Sequence, residues 1–313
     1  MKTRVSAVLV VFGLILCFQQ VKAQQHQFYT QYMFNDYLVN PAVAGTHNYF
    51  QIRANSRIQW VGMTDAPRTM SVSMYGPWED KSMGYGGYVY HDVTGPTSQT
   101  ALNGTYSYNM PINESMRISG GISIGFMQYR LDGTEIYSGE NNNDPALTGG
   151  VDTRFVPDAS VGVYLYSSYF YVGLAAHQLL GWRVSDEVDG PATGINPNEI
   201  AGEGVSRLKQ HVYLSGGTHF WLSRDFTLQP SILVKALFPD QYQAEINAKV
   251  TYQNQVWGGL SYRTSDAISV LLGYNYENKV YFGISYDVTV SDLARYTSGT
   301  YEVMIAYRFN DIK

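Results

Sequence analysis

Cysteine is almost missing from this chain: Cys17 is the only one among 313 residues. It lies in a leader-like stretch, so a chain trimmed of that leader has no disulfide, no thiolate nucleophile and no cysteine metal site. Charge is scarce too, at 15% of residues, with 21 basic against 26 acidic side chains and a net charge of −5. Removing Lys2, Arg4 and Lys22 with the leader leaves 18 basic against 26 acidic residues, a net charge of −8. Nothing in that balance suggests a phosphate-backbone binder, so no nucleic-acid partner is expected. Beyond residue 23 no apolar run is long enough to cross a bilayer as a helix. The six histidines do not cluster. His211 and His219 share a strand face but lie ~27 Å apart along it, too far for one metal ion. His91-Asp92 has no evident serine partner, and Glu140-Asn141-Asn142-Asn143-Asp144 lacks the spacing and turn glycine of a calcium loop. The expectation is therefore no catalytic residue, no cofactor and no metal.

The first residues read as a secretion signal. Lys2 and Arg4 give a positive start, Val5–Phe18 is apolar apart from Ser6 and Gly13, and Val21-Lys22-Ala23 resembles a cleavage site. The apolar run falls short of the ~20 residues a membrane span needs. Leu16, standing before Cys17 where a small residue is expected, argues against a lipoprotein. Residues 1–23 are thus expected to direct export through the general secretion pathway, with cleavage after Ala23.

Almost everything after the leader reads as short two-faced strands. In Gln243–Tyr252, Ala244, Ile246, Ala248, Val250 and Tyr252 alternate with Gln243, Glu245, Asn247, Lys249 and Thr251. Successive strand side chains point to opposite faces, so one face is apolar and the other polar. Thr300–Phe309 repeats the pattern. Fourteen such candidates run from Tyr49–Arg57 to Gly299–Phe309, among them Ala159–Ser167 and Leu208–Trp221. Strands of about ten residues, tilted by ~40°, rise ~25 Å, the height of a membrane's apolar belt. With 27 tyrosines and little charge, the pattern predicts an all-β, transmembrane, antiparallel up-and-down barrel over residues 46–313 rather than a soluble sandwich. Taking the first connection as external, the even-numbered ones are short, and the long stretches Gly133–Asp158, Gln178–Arg207 and Val288–Ser298 all fall on the external side. Glycines inside the strands suggest bends of the wall.

Fourteen strands enclose a bore of roughly 28 Å between backbones, too wide for side chains alone to fill. Residues 24–45 are a candidate plug or docking segment. Phe28, Tyr29 and Tyr32 are spaced as on one helical stripe, Met33, Phe34 and Tyr37 extend the aromatic cluster, and Asn40-Pro41 breaks it. Such a cluster would close the periplasmic mouth, or offer aromatic surface to a periplasmic partner. Glu245, Lys249, Arg263, Glu302 and Arg308 are the expected charges of the lumen, read as a salt-bridged lining.

An ordered set of short segments resembles the PorP/SprF family of outer-membrane proteins of type IX secretion. They are Gln27-Phe28-Tyr29-Thr30-Gln31-Tyr32-Met33-Phe34-Asn35 with Asn40-Pro41-Ala42-Val43-Ala44-Gly45; Arg57-Ile58-Gln59-Trp60-Val61-Gly62 with Ala66-Pro67-Arg68-Thr69; and Val156-Pro157-Asp158-Ala159-Ser160-Val161-Gly162-Val163. Pro230-Ser231-Ile232-Leu233-Val234-Lys235, Ala244-Glu245-Ile246-Asn247, Val256-Trp257-Gly258-Gly259-Leu260-Ser261-Tyr262-Arg263, Ile284-Ser285-Tyr286-Asp287 and Gly299-Thr300-Tyr301-Glu302-Val303 follow in order. The chain departs at Asp36-Tyr37-Leu38-Val39, where the family has an Asn-Pro-rich stretch. The resemblance implies a non-enzymatic barrel in the outer membrane of Bacteroidetes, in contact with its lipid. It implies work with secretion and gliding machinery: export or surface anchoring of large secreted proteins such as adhesins, linked to periplasmic ring or peptidoglycan-binding components. Residues alone leave open a porin or hydrophobic-solute channel, and a surface enzyme built on His91.

Overall fold

The computed structural model describes residues 29–78, 82–135, 150–181, 208–237 and 241–309. The leader, its cleavage point, Phe28 and the Glu140–Asp144 loop lie outside the described residues. Fifteen strand segments form one sheet: β1 (Phe50–Ile58), β2 (Arg68–Pro77), β3 (Met83–Thr94), β4 (Thr97–Pro111), β5 (Met116–Asp132), β6 (Val151–Ser167), β7 (Phe170–His177), β8 (His211–Thr218), β9 (Phe220–Trp221), β10 (Phe226–Leu237), β11 (Gln241–Tyr252), β12 (Val256–Arg263), β13 (Ala267–Tyr276), β14 (Val280–Thr289) and β15 (Thr300–Phe309). Pairing is antiparallel between neighbours throughout, and β1 closes on β15 from Phe50↔Phe309 to Ile58↔Tyr301. Because β8 and β9 are one stave interrupted at His219, the closed barrel has fourteen staves.

The alternation read in the sequence becomes inside and outside. On β15, Tyr301, Val303, Ile305 and Tyr307 are exposed while Glu302, Met304 and Ala306 are buried. Leu102, Ile124 and Phe126 point outward and are more than 60% exposed. A soluble protein could not carry a continuous apolar surface of that extent, whereas lipid covers it. Aromatic pairs ring both ends of the band. Tyr286 and Tyr301 lie 4.9 Å apart at the end with the long connections, and Phe226 and Tyr252 lie 4.9 Å apart at the short-turn end. The short-turn end carries tight hairpins such as Gln253-Asn254 and Glu277-Asn278, in which both residues have positive φ. Paired left-handed residues match the twist of the flanking strands. In bacterial barrels the short turns face the periplasm.

Two elements differ from the sequence reading. β6 starts at Val151, well before Ala159. The added part, assigned from the sequence to the long external stretch Gly133–Asp158, contains Pro157, and proline cannot donate to a ladder. β6 pairs with β5 along its whole length but with β7 only over Val161–Tyr166, so Pro157 needs a partner on one edge alone. The expected strand Leu208–Trp221 starts instead at His211 and is broken at His219. Pro230 of β10 lies opposite the break, between the pairs Leu228↔Phe220 and Ser231↔Gly217, and has no amide to bridge it.

The core lies inside the barrel. Residues 29–45 thread the bore, and Tyr37, Ala42, Val43 and Ala44 pack with Tyr75, Tyr88, Ala101 and Met127 of the wall. Several inward glycines act as clearance for this segment rather than as bends. A Cβ on Gly121 would lie 2.5 Å from the Ala42 nitrogen, inside the backbone of the segment. Gly120, next in the chain, faces outward and a Cβ there meets nothing within 4 Å. Gly121→Val is therefore expected to destabilise the filled barrel by about 1–3 kcal/mol, the usual cost of overpacking. Gly120→Val should be close to neutral. The temperature at which unboiled protein shifts to its boiled gel mobility measures the difference.

Candidate functional site

The luminal segment runs the height of the bore. At one end Thr30 sits among residues close to the long-connection ends of their strands: Arg57, Arg263, Asp287 and Glu302. At the other, the Ala44 carbonyl accepts from Ser107 Oγ, and Asn109 Nδ2 donates to the Gly45 carbonyl over 3.4 Å, near the short-turn end. The segment thus lies along the bore rather than across its periplasmic mouth alone. The described residues make turns and two short 3-10 turns, Asp36–Leu38 and Pro41–Val43, that fill the interior. Asn40 is the corner. Its Oδ1 accepts from Ala42 N at 2.9 Å, which leaves Pro41 at the first helical position, where no amide is needed. Its Nδ2 donates to the carbonyl of Val163 at 3.0 Å, anchoring the corner to β6.

Of the candidate docking residues, Tyr32, Tyr37, Asn40 and Pro41 are buried against the wall and offer no surface to a protein outside the bore. Tyr32 OH accepts from Asn247 Nδ2 at 2.9 Å. Tyr37 stacks on Tyr75 at 4.4 Å and donates to Thr105 Oγ1 at 2.7 Å. Tyr29, Met33 and Phe34 are partly exposed, and all three line cavities inside the lumen. Periodicity could not reveal this, because an irregular segment has no period and its partners come from strands far away in sequence.

The charged residues fall into two groups. Arg57 bonds Asp287 at 2.9 Å and Glu302 at 3.1 Å. Arg263 bonds Glu245 at 3.0 Å, Asp266 at 2.8 Å and Asp287 at 3.3 Å. Thr30 Oγ1 stands at the centre. It accepts from Arg57 Nη1 at 2.7 Å and Arg263 Nη2 at 2.9 Å, and donates to Asp287 Oδ2 at 2.9 Å. The backbone amides of Thr30 and Gln31 both donate to the Glu302 carboxylate. Buried ions hold only when further hydrogen bonds satisfy them, and the segment supplies those bonds. Glu245, Arg263 and Glu302 therefore belong to one clamp that also needs Arg57, Asp287 and Thr30. The sequence reading overlooked these three, although Arg57 lies on the inward face with Gln51, Arg53 and Asn55. Lys249 and Arg308 do not pair with Glu245 and Glu302 as a salt-bridged lining requires. Lys249 Nζ lies 4.4 Å from the centre of the Phe34 ring, and Arg308 Cζ lies 4.0 Å from that of Tyr281.

Two of the histidines bond to the wall or the luminal segment. His177 Nε2 lies 2.7 Å from the Val39 carbonyl, which can only accept, so Nε2 carries the proton and Nδ1 accepts from Ser160 Oγ at 3.2 Å. His91 Nδ1 lies 2.8 Å from Thr100 Oγ1 on the exposed face. No group of three or more potential metal ligands occurs among the described residues.

This filled, lipid-facing barrel has sequence relatives. A family described as "Type IX secretion system membrane protein PorP/SprF" matches residues 21–307. The chain belongs to this family. Curated proteins give no match. Among solved structures, the Ralstonia pickettii toluene transporter TbuX aligns at a TM-score of 0.51 and 8% identity, over 88% of this chain and 92% of that one. The CymD monoaromatic hydrocarbon channel aligns at 0.50 and 11% identity, over 93% and 96%. At such identities the likeness concerns the fold: both are barrels of the same general kind. The PorP/SprF chain is thus an integral outer-membrane barrel of type IX secretion.

Two substitutions at one position probe the clamp. Thr30→Val keeps the shape of the side chain but removes the hydroxyl shared by two guanidinium groups and a carboxylate. Hydrogen bonds to charged groups are worth about 1.5–3 kcal/mol, so the gel-shift temperature should fall clearly, while Thr30→Ser should retain most of it.

Proposed function

We propose that this barrel is a non-enzymatic component that supports export or surface anchoring of large secreted proteins, such as gliding adhesins, and links that cargo to periplasmic machinery. Membership of the type IX family supports the setting. One observation carries the mechanical part of the reading: the chain's own segment occupies the bore and is clamped by buried ion pairs on β1, β12, β14 and β15. A barrel filled in this way is suited to holding a position in the membrane rather than to passing solute. Its work is then done by surfaces at the two ends. Ser160 and His177 form a hydroxyl–imidazole pair, but its second nitrogen is committed to Val39 and its surroundings are core, which favours a structural role.

A hydrophobic-solute channel is the second reading, supported by the barrel likeness to TbuX and CymD. Purification of the tagged protein from native membranes in mild detergent, followed by mass spectrometry, separates the two. The expected result is co-purification of a large secreted adhesin or a periplasmic ring component, with no steady conductance by the pure protein in planar bilayers. A protein recovered alone that passes ions or aromatic solutes would overturn the proposal in favour of the channel.

A further inference from the structure

The two ends of the bore differ in charge. Near the long connections, cations and carboxylates meet in the clamp. Toward the short turns the luminal segment leaves a cavity of about 410 Å³, and Arg53, Lys249 and Arg308 all face it. Asp36 is the one acidic side chain among the described lining residues, and its Oδ2 is held by Tyr164 OH at 3.4 Å. His47 and His219 complete the titratable groups at the wall, along with the hydroxyls of Tyr164, Tyr171 and Tyr281. Among the described residues none of the three cations forms an ion pair. Arg53 bonds Gln51 Oε1, at 3.0 Å from Nε and 2.6 Å from Nη2, and its Nη1 lies 3.8 Å from Met304 Sδ. Arg308 lies between the rings of Tyr49 and Tyr281, at 4.3 and 4.0 Å, and its buried Nε has no hydrogen-bond partner. Guanidinium groups stay charged at any accessible pH, so Arg53 and Arg308 outnumber the one carboxylate of the described lining, Asp36, and this end of the lumen carries net positive charge. Such an arrangement costs stability unless an anion completes it.

The lining says what kind of anion. Phe34 is partly exposed beside Lys249 and lies 4.1 Å from Trp257, so an aromatic ring borders the charges. Carboxylate side chains supply acceptors for the guanidinium groups, and a peptide can carry aromatic rings beside them, which phosphate and sulfate cannot. The turn residues Asn254 and Asn278 border the cavity, so it lies at the periplasmic end. We propose that this vestibule is a receptor for an acidic, aromatic-containing peptide segment of a periplasmic protein. The proposal does not depend on whether the barrel carries cargo, since it concerns the opposite end from the long connections.

The test uses full-length protein folded in detergent and a fluorescein-labelled peptide of alternating Glu and Phe, with a Gln-Phe peptide as its uncharged counterpart. Fluorescence anisotropy should show saturable binding of the acidic peptide, weakening as salt is raised, and little binding of the uncharged one. The double variant Arg53→Gln, Arg308→Gln should weaken binding about tenfold or more, since both charge-assisted contacts are lost. Equal binding of the two peptides, or unchanged affinity in a variant that keeps its heat-modifiable band, overturns the proposal. Displacement of the acidic peptide by millimolar inorganic phosphate reassigns the site to small anions and overturns it as well. Should the double variant fail to fold, natural protein treated with phenylglyoxal decides. The acidic peptide is expected to protect Arg308 from modification, read by mass spectrometry, and absence of protection counts against the site.

Discussion

A backbone amide facing lipid has no water to bond, so every N–H and C=O along the wall must find a partner within the protein. That requirement drives the pairing of β1 with β15, which closes the sheet and leaves no edge in the membrane. Other features follow from closure. Staves must alternate apolar and polar residues, because one face now meets lipid and the other a bore. The wall tolerates proline only where one edge is spared, as at Pro157, or where the neighbouring stave breaks, as opposite Pro230.

Closing fourteen staves creates an interior wider than side chains can fill, and the chain fills it with its own residues 29–45. The fit is close: Gly121 has room for no Cβ beside Ala42, and Asn40 is wedged against β6 and β7. Apolar packing alone would leave the height of such a segment in the bore poorly defined. Buried ion pairs add little net stability against apolar alternatives, but their geometry allows few arrangements. Thr30 can satisfy Arg57, Arg263 and Asp287 together from one position only, and this sets the level of the segment.

The result is a bore divided by charge. Beneath the long connections the arginines are paired with carboxylates, whereas toward the periplasm Arg53, Lys249 and Arg308 share a cavity whose described lining has Asp36 as its one carboxylate. One half is built to stay as it is. The other is the half to which the proposed receptor role is assigned, because its cations have no salt-bridge partner among the described residues.

Much of this was legible in the residues alone. Strand alternation such as Glu245, Asn247, Lys249 facing away from Ile246, Ala248, Val250 depends only on the two-residue period of an extended chain, and lipid outside with polar groups inside follows from it. The fourteen staves, their closure into a barrel and the membrane setting were thus determined by local pattern. So was the inward direction of Glu245, Arg263 and Glu302. What the pattern could not carry was pairing across the bore. Glu302 meets Arg57 rather than Arg308 because register places Arg57 opposite it on β1, while Arg308 lies far along its own strand. Tyr32, Tyr37 and Asn40 could be read either as a plug or as surface for a partner, because an irregular segment announces neither its depth nor its neighbours. Only the closed barrel decided that these residues are interior, that glycines are clearance, and that Lys249 and Arg308 meet aromatic rings rather than carboxylates. Those outcomes rest on contacts between residues up to 272 positions apart, and a distance set by closure in three dimensions leaves no trace in a period read along one.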